Sequence, residues 1–162
     1  MTDAAGGPAS DVPPGIDERA PARGAGEIDV AAAPELVWAV LTDFARWPSW
    51  NPDVKSISVD GPAAPGTTFR WRAGPGTITS TIQRVERPRL IAWTGRTLGI
   101  RAIHIWYLEP RDGGTAVRTE ESFDGLLPRL LRGPTRKALQ SGLDKGLGHL
   151  KAEAERRARA GR

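Results

Sequence analysis

The chain contains no cysteine, which removes disulfide scaffolds, thiolate zinc sites, iron–sulfur clusters and thiol nucleophiles from consideration. Its two histidines, His104 and His149, are too few for a histidine-rich centre, so no metal is expected. No apolar run approaches the roughly 18 residues of a membrane span. A basic stretch followed by an apolar one is also missing from the N-terminus, so no secretory signal is read. Phosphate-binding loops, dinucleotide fingerprints and nucleophile elbows are absent too, and no cofactor is expected. The 162 residues, 39% of them hydrophobic, suit one domain, and the expectation is a soluble cytoplasmic protein.

Charge is unevenly placed. Residues 129–162 carry 10 basic and 3 acidic groups, a balance of +7, against 13 and 16 in residues 1–128, a balance of −3. That basic segment has no aromatic residue on which a base could stack, so nucleic acid is not expected as a partner. A solvated helix face is the simpler reading.

Residues 1–26 include nine Gly or Pro and very few large apolar side chains, and they read as a disordered leader. A folded domain is expected over 27–156, followed by a basic tail, 157–162. Glu27-Ile-Asp-Val-Ala alternates as a short strand. Pro34 then opens a helix with Glu35 in its first turn, and Leu36, Val37, Val40, Leu41 and Phe44 form its apolar stripe. Asp43 is placed to cap a second short helix, which ends in Trp47-Pro-Ser-Trp-Asn-Pro. Six strand patterns follow: Val54–Val59, Thr67–Arg72, Thr77–Val85, Leu90–Thr97, Ile100–Glu109 and Thr115–Phe123. Without helical interruption they imply an antiparallel meander. Beyond Gly125 the period lengthens, and Leu139, Leu143, Leu147, Leu150 and Ala154 mark a long helix started or kinked by Pro134.

One register follows from a turn. If Asp112-Gly113 is the centre of a two-residue hairpin, paired residue numbers sum to 225. Leu108 then faces Val117, Trp106 faces Thr119 and His104 faces Glu121, on a face that also holds Ile100, Ala102 and Phe123. The other face gathers the charges, with Arg101 opposite Asp124 and Tyr107 opposite Arg118, so the first face should point inward.

In this order of elements the chain resembles the START-like superfamily (SRPBCC, Bet v 1-like), specifically its polyketide cyclase/dehydrase-like branch. The resemblance rests on Ile28-Asp-Val, Ala33-Pro-Glu-Leu-Val-Trp38, Leu41-Thr-Asp43, the Trp47–Pro52 segment, Pro88-Arg-Leu-Ile-Ala-Trp93 and Trp106–Glu121, across roughly residues 27–155. It implies an α+β helix-grip fold. A curved antiparallel sheet of about seven strands wraps a long C-terminal helix, with two short helices after the first strand and a cavity between sheet and helix. Relatives bind lipids, quinones, sterols or polyketides, and some cyclise or dehydrate them, so a hydrophobic small molecule is the expected partner.

Trp71, Trp93 and Trp106 stand where a strand faces such a cavity, and Trp47 and Trp50 stand at one entrance. Ordinary core filling is the competing reading. Gly142, Gly146 and Gly148 interrupt the long helix, each less favourable than alanine by about 1 kcal/mol; close approach of the helix to sheet or ligand would account for them. The expected ligand-binding set is therefore Trp47, Trp71, Trp93, Trp106, Thr119, Leu139, Gly142, Leu143 and Gly146. His104 and Glu121 form the one candidate acid–base pair, fit for dehydration or aldol cyclisation, or else a polar pair that positions ligand. Arg72 and Arg96 are read as exposed and His149 as a surface residue. Three functions compete: a binding protein for a polyketide, aromatic or lipid-like molecule; a cyclase or dehydratase using His104 and Glu121; and a lipid or quinone carrier docking on membranes through the basic C-terminal helix.

Overall fold

The computed structural model describes residues 15–161. Seven antiparallel strands form one sheet in the order β1-β7-β6-β5-β4-β3-β2, so the meander closes by placing the first strand beside the last. The strands are β1 (Ala22–Val30), β2 (Val54–Val59), β3 (Thr68–Ala73), β4 (Gly76–Glu86), β5 (Leu90–Thr97), β6 (Ile100–Arg111) and β7 (Gly114–Gly125). Helices α1 (Pro34–Thr42) and α2 (Trp47–Trp50) follow β1, α3 (Leu126–Leu130) follows β7, and α4 (Arg132–Ala160) completes the grip. No helix is long and apolar enough to cross a membrane among the described residues.

The register deduced from the Asp112-Gly113 turn holds along the whole of β6 and β7, from Arg111 opposite Gly114 to Ile100 opposite Gly125. Leu108, Trp106, His104, Val117 and Thr119 are buried on the inner face. On the outer face Arg101 pairs with Asp124 at 2.8 Å, and the Arg118 guanidinium lies 4.0 Å above the Tyr107 ring.

Four expectations change. The first strand starts at Ala22 and not at Glu27, so part of the expected leader is sheet. The residues before it cross the outer face, where Ile16, with Ile103 and Tyr107, packs against the cluster of Leu90, Ala92 and Ile105 and the Asp17 amide donates to Ser122. Residues 1–14 of that leader lie outside the described residues. At the other end α4 continues to Ala160, through most of the segment read as a tail, while Arg162 lies outside the description. Asp43 does not cap with its side chain; its carbonyl accepts from the Arg46 amide in a 3-10 turn, Phe44–Arg46, ahead of α2.

Glycine explains why the β1 pattern was hidden. A methyl group on Gly24 would sit 3.0 Å from Leu143 Cδ1, and one on Gly26 would sit 2.7 Å from Leu147 Cδ1. These residues are small because α4 lies directly upon them. The main core lies on the other side of α4's seam. Val37, Trp38, Val40, Leu41 and Phe44 of the α1 region meet Trp47, Phe69, Ile82, Ile91, Trp93, Trp106 and Leu108, with Leu147, Leu150 and Ala154 closing it.

Candidate functional site

Three polar side chains share the inner face of β6 and β7. His104 Nε2 lies 2.8 Å from the Thr119 hydroxyl, and that hydroxyl donates to the Ile105 carbonyl at 3.0 Å. A carbonyl oxygen can only accept, so Thr119 has spent its one proton and must accept from His104. The imidazole proton therefore resides on Nε2, and the free Nδ1 faces Glu121 Oε1 at 3.4 Å.

His104 is buried, and Glu121 is largely so, its side chain 15% exposed. Loss of water pushes the Glu121 carboxyl up to about 8 and the His104 imidazole down to about 3. Near neutral pH the carboxyl keeps its proton and the imidazole is uncharged. The interior thus holds a proton donor and a proton acceptor side by side without a net charge, which its apolar surroundings can accommodate.

Those surroundings are aromatic. Trp93 meets His104 edge-on with centroids 5.0 Å apart, and Trp106 lies 5.2 Å away on a tilt. Phe44, Trp47 and Phe69 pack against Trp93, and Trp71 meets Trp47 at 5.6 Å from β3, one strand in from the edge. Two indole nitrogens are accounted for: Trp47 Nε1 donates to the Leu41 carbonyl and Trp71 Nε1 to Ser80 Oγ. Two are not. Trp50 Nε1 and Trp106 Nε1 are buried with no hydrogen-bond partner among the described residues. A buried unmet donor is unfavourable by about 1–3 kcal/mol.

The structure brings Trp93, Trp106 and Thr119 against His104, with Trp47 one ring further out behind Trp93 and Trp71 beyond Trp47. Gly146 joins them, because a Cβ there would stand 4.0 Å from Trp106 Cη2. Leu139 and Leu143 belong to a separate cluster with Ala22 and Phe123. Gly142 is a correction: it is exposed, and a Cβ there meets nothing within 4 Å, as at Gly148. Those two glycines lie on α4's solvent side and cannot line the interior. Phe44 and Phe69 are the members that the sequence reading passed over. Phe69 stands two residues before Trp71 on β3, so strand parity places both rings on one face. Arg72 and Arg96 are exposed, and His149 is half-buried, 3.6 Å from Asp53.

Aromatic rings crowd the inner face where the resemblance implied a cavity. The surface has a groove of about 600 Å³ beside β1 and α4, lined by Ile16, Arg23, Glu120 and Arg136 among others, and another of about 350 Å³ at the β2–β3 edge. Neither includes His104, Glu121 or Trp106. Among the described residues no group of three or more His, Cys, Asp or Glu could hold a metal ion.

Comparison with known proteins agrees with this geometry. The sequence family described as polyketide cyclase / dehydrase and lipid transport matches residues 21–155. Among solved structures, a START superfamily protein from Mycobacterium smegmatis superposes with a TM-score of 0.72 at 17% identity, covering 83% of this chain and 97% of that one. A hypothetical protein from Helicobacter pylori gives 0.75 at 18% identity, covering 95% and 98%. The Zhui aromatase/cyclase from a Streptomyces species gives 0.71 at 21% identity, covering 86% and 96%. At these identities the structural likeness shows the fold alone. No curated protein matches the sequence.

Proposed function

The chain belongs to the polyketide cyclase, dehydrase and lipid-transport family, and from that membership we propose that it binds a hydrophobic small molecule, polyketide, aromatic or lipid-like, between the sheet and α4. The observation that carries this reading is the Trp106 indole N–H, buried without a partner among the described residues beside an uncharged His104–Glu121 pair. An apolar interior with a donor to spare suits a mostly apolar molecule that carries an oxygen acceptor. Turning of the crowded rings, or lifting of α4 where Gly146 passes Trp106, would admit the molecule. Native mass spectrometry of freshly purified protein tests the proposal. A retained apolar mass is expected, lost or diminished in Trp106→Phe, which keeps the ring and removes the donor. A bare chain in every preparation, with no candidate polyketide raising the thermal midpoint, would overturn it.

The uncharged carboxyl and imidazole 3.4 Å apart favour a second reading, in which the bound molecule is dehydrated or cyclised. In a dehydration His104 Nδ1 would take the carbon-bound proton while Glu121 gives its proton to the departing hydroxyl, which leaves as water. The carbon–oxygen bond breaks as the double bond forms. The resulting imidazolium would return its Nδ1 proton to the Glu121 carboxylate, restoring both groups. On this reading Glu121→Gln and His104→Ala abolish turnover of a β-hydroxy polyketide substrate while leaving its retention in place. Retained turnover in both variants would remove the pair from the chemistry.

A further inference from the structure

Among the described residues the large hydrophobic side chains left exposed are Leu98, Leu126, Leu127, Leu130 and Leu131. All five lie at one end of the molecule. Leu98 occupies the β5–β6 turn, and the leucine pairs belong to α3 and the residue after it. Ile100 pairs with Gly125, and a Cβ on Gly125 would fall 2.0 Å from the Gly99 carbonyl oxygen, so turn and helix start touch through their backbones. Leu126, Leu127, Leu130 and Leu131 recur at spacings of one and four, which puts them on one side of the turn they form. Leu98 is 63% exposed, Leu126 71% and Leu130 72%. Leu98 also has φ +43, in the left-handed region that leucine seldom enters and where asparagine or glycine would sit without strain. Leu98 rests on Gly76 of β4 by one side only and turns the rest of its strained, apolar side chain to water.

The charge beside these leucines is mostly positive, with Asp124 the acidic exception. From Leu126 to Leu143 the sequence has Arg129, Arg132, Arg136 and Lys137, all exposed, and no acidic residue. Arg129 pairs with Asp124. Arg136 donates to the Pro21 carbonyl and not to a carboxylate, and among the described residues Arg132 and Lys137 have no ion-pair partner. The C-terminal part of α4 is different, since Arg156 and Arg157 are held by Glu153 and Lys151 by Glu155. Much of the later charge of the basic C-terminal helix expected to meet membranes is offset locally, Lys145 and Arg159 being without an ion pair among the described residues; next to the leucines, at the beginning of the helix, Arg132 and Lys137 are unpaired as well.

We propose that α3, the β5–β6 turn and the first turns of α4 form a surface that inserts into an anionic lipid bilayer, with the leucines among the acyl chains and Arg132, Arg136 and Lys137 at the headgroups. A bilayer interface meets both needs at adjoining depths, apolar below and negative above. The leucines stand on a projecting turn and a short helix, a shape suited to insertion. This surface is separate from the interior and does not depend on what the interior binds.

Flotation of the full chain tests it, using vesicles of phosphatidylcholine mixed with phosphatidylglycerol against phosphatidylcholine alone, at low and high salt. The wild type should float with the mixed vesicles, and raised salt should weaken that binding. Leu126→Ser with Leu130→Ser should lower partitioning at least about tenfold, as should Arg132→Gln with Lys137→Gln. Leu98→Asn, which suits a positive φ, should float less well while melting no lower than the wild type. The proposal is overturned if the wild type stays unbound with both vesicles, or if the leucine variants float as it does. It is also overturned if sedimentation velocity shows those leucines holding two copies together, or if an acidic protein and not the vesicle competes for the surface.

Discussion

His104 gives its Nε2 proton to the hydroxyl of Thr119, 2.8 Å away, since that hydroxyl has already committed its own proton to the Ile105 carbonyl. The chain of donation runs one way, from ring to hydroxyl to backbone, and it fixes the lone pair of Nδ1 on the side of Glu121. Valine in place of Thr119 preserves the shape and deletes both links. Thr119→Val should be less stable by about 1–3 kcal/mol, because the imidazole N–H loses its buried acceptor. Long-range nitrogen–proton NMR of the imidazole should show one tautomer in the wild type and a mixture in the variant. A single unchanged tautomer would mean that Thr119 does not set it.

Stability should depend on pH through the same pair. Glu121 is raised from 4.5 to about 8, so between those values the folded state holds a proton that the unfolded state has lost, and stability falls as pH rises. His104 is lowered from 6.5 to about 3, so the unfolded state binds the extra proton there and stability falls as pH drops. The two slopes oppose each other from 4.5 to 6.5 and leave a plateau. Above it Glu121 acts alone, and on the order of 2 kcal/mol should be lost between pH 6.5 and 8. Glu121→Gln should flatten that alkaline limb in urea unfolding. The acid limb is shared with Glu153, which Arg156 and Arg157 hold down at about 2, so the variant should keep its acid sensitivity.

Aromatic residues should differ sharply according to their place in the cluster. Trp93 is 3% exposed and touches Phe44, Trp47, Phe69 and His104 with its ring. Trp93→Ala should destabilise by about 3–5 kcal/mol. Trp71 is half-buried on β3 and meets Trp47 from one side only, so Trp71→Ala should be clearly milder. Equal losses in chemical denaturation would contradict the packing described.

The helix glycines separate in the same way. Gly142→Ala and Gly148→Ala should each stabilise α4 by about 0.5–1 kcal/mol, because they face open space. Gly146→Val should instead press on Trp106, giving no gain and less ligand retention than the alanine variants. Thermal midpoints and retained mass, measured on the same preparations, distinguish these outcomes.

The residues that were legible in the sequence are those whose partners are local. Asp112-Gly113 dictates a turn, the turn dictates register, and the register puts His104 opposite Glu121. The Pro34 start of α1 and the leucine stripe of α4 are local for the same reason. What escaped depends on distant chain. Gly24 and Gly26 read as disorder because nothing near them in sequence announces the helix they support, more than a hundred residues on. The small turn at Phe44–Arg46 goes with the packing of Phe44 on Trp47 and has no side-chain cap from Asp43. The unmet indole N–H of Trp106 cannot be read from composition at all, since it depends on what every neighbouring element leaves unfilled.

Gly24 and Gly26 also determine how thick this wall of the molecule is. The separation between β1 and α4 is set there by two missing methyl groups, with Leu143 and Leu147 resting almost on bare backbone. A methyl restored at Gly26 would be a wedge, 2.7 Å from Leu147 Cδ1, driven under the helix from the margin of the sheet. Such a wedge would pry α4 upward with every aromatic ring and each of His104, Glu121 and Thr119 retained in the sequence. Width of the interior and chemistry of the interior are therefore separately adjustable in this fold, the one at the edge strand and the other at the centre.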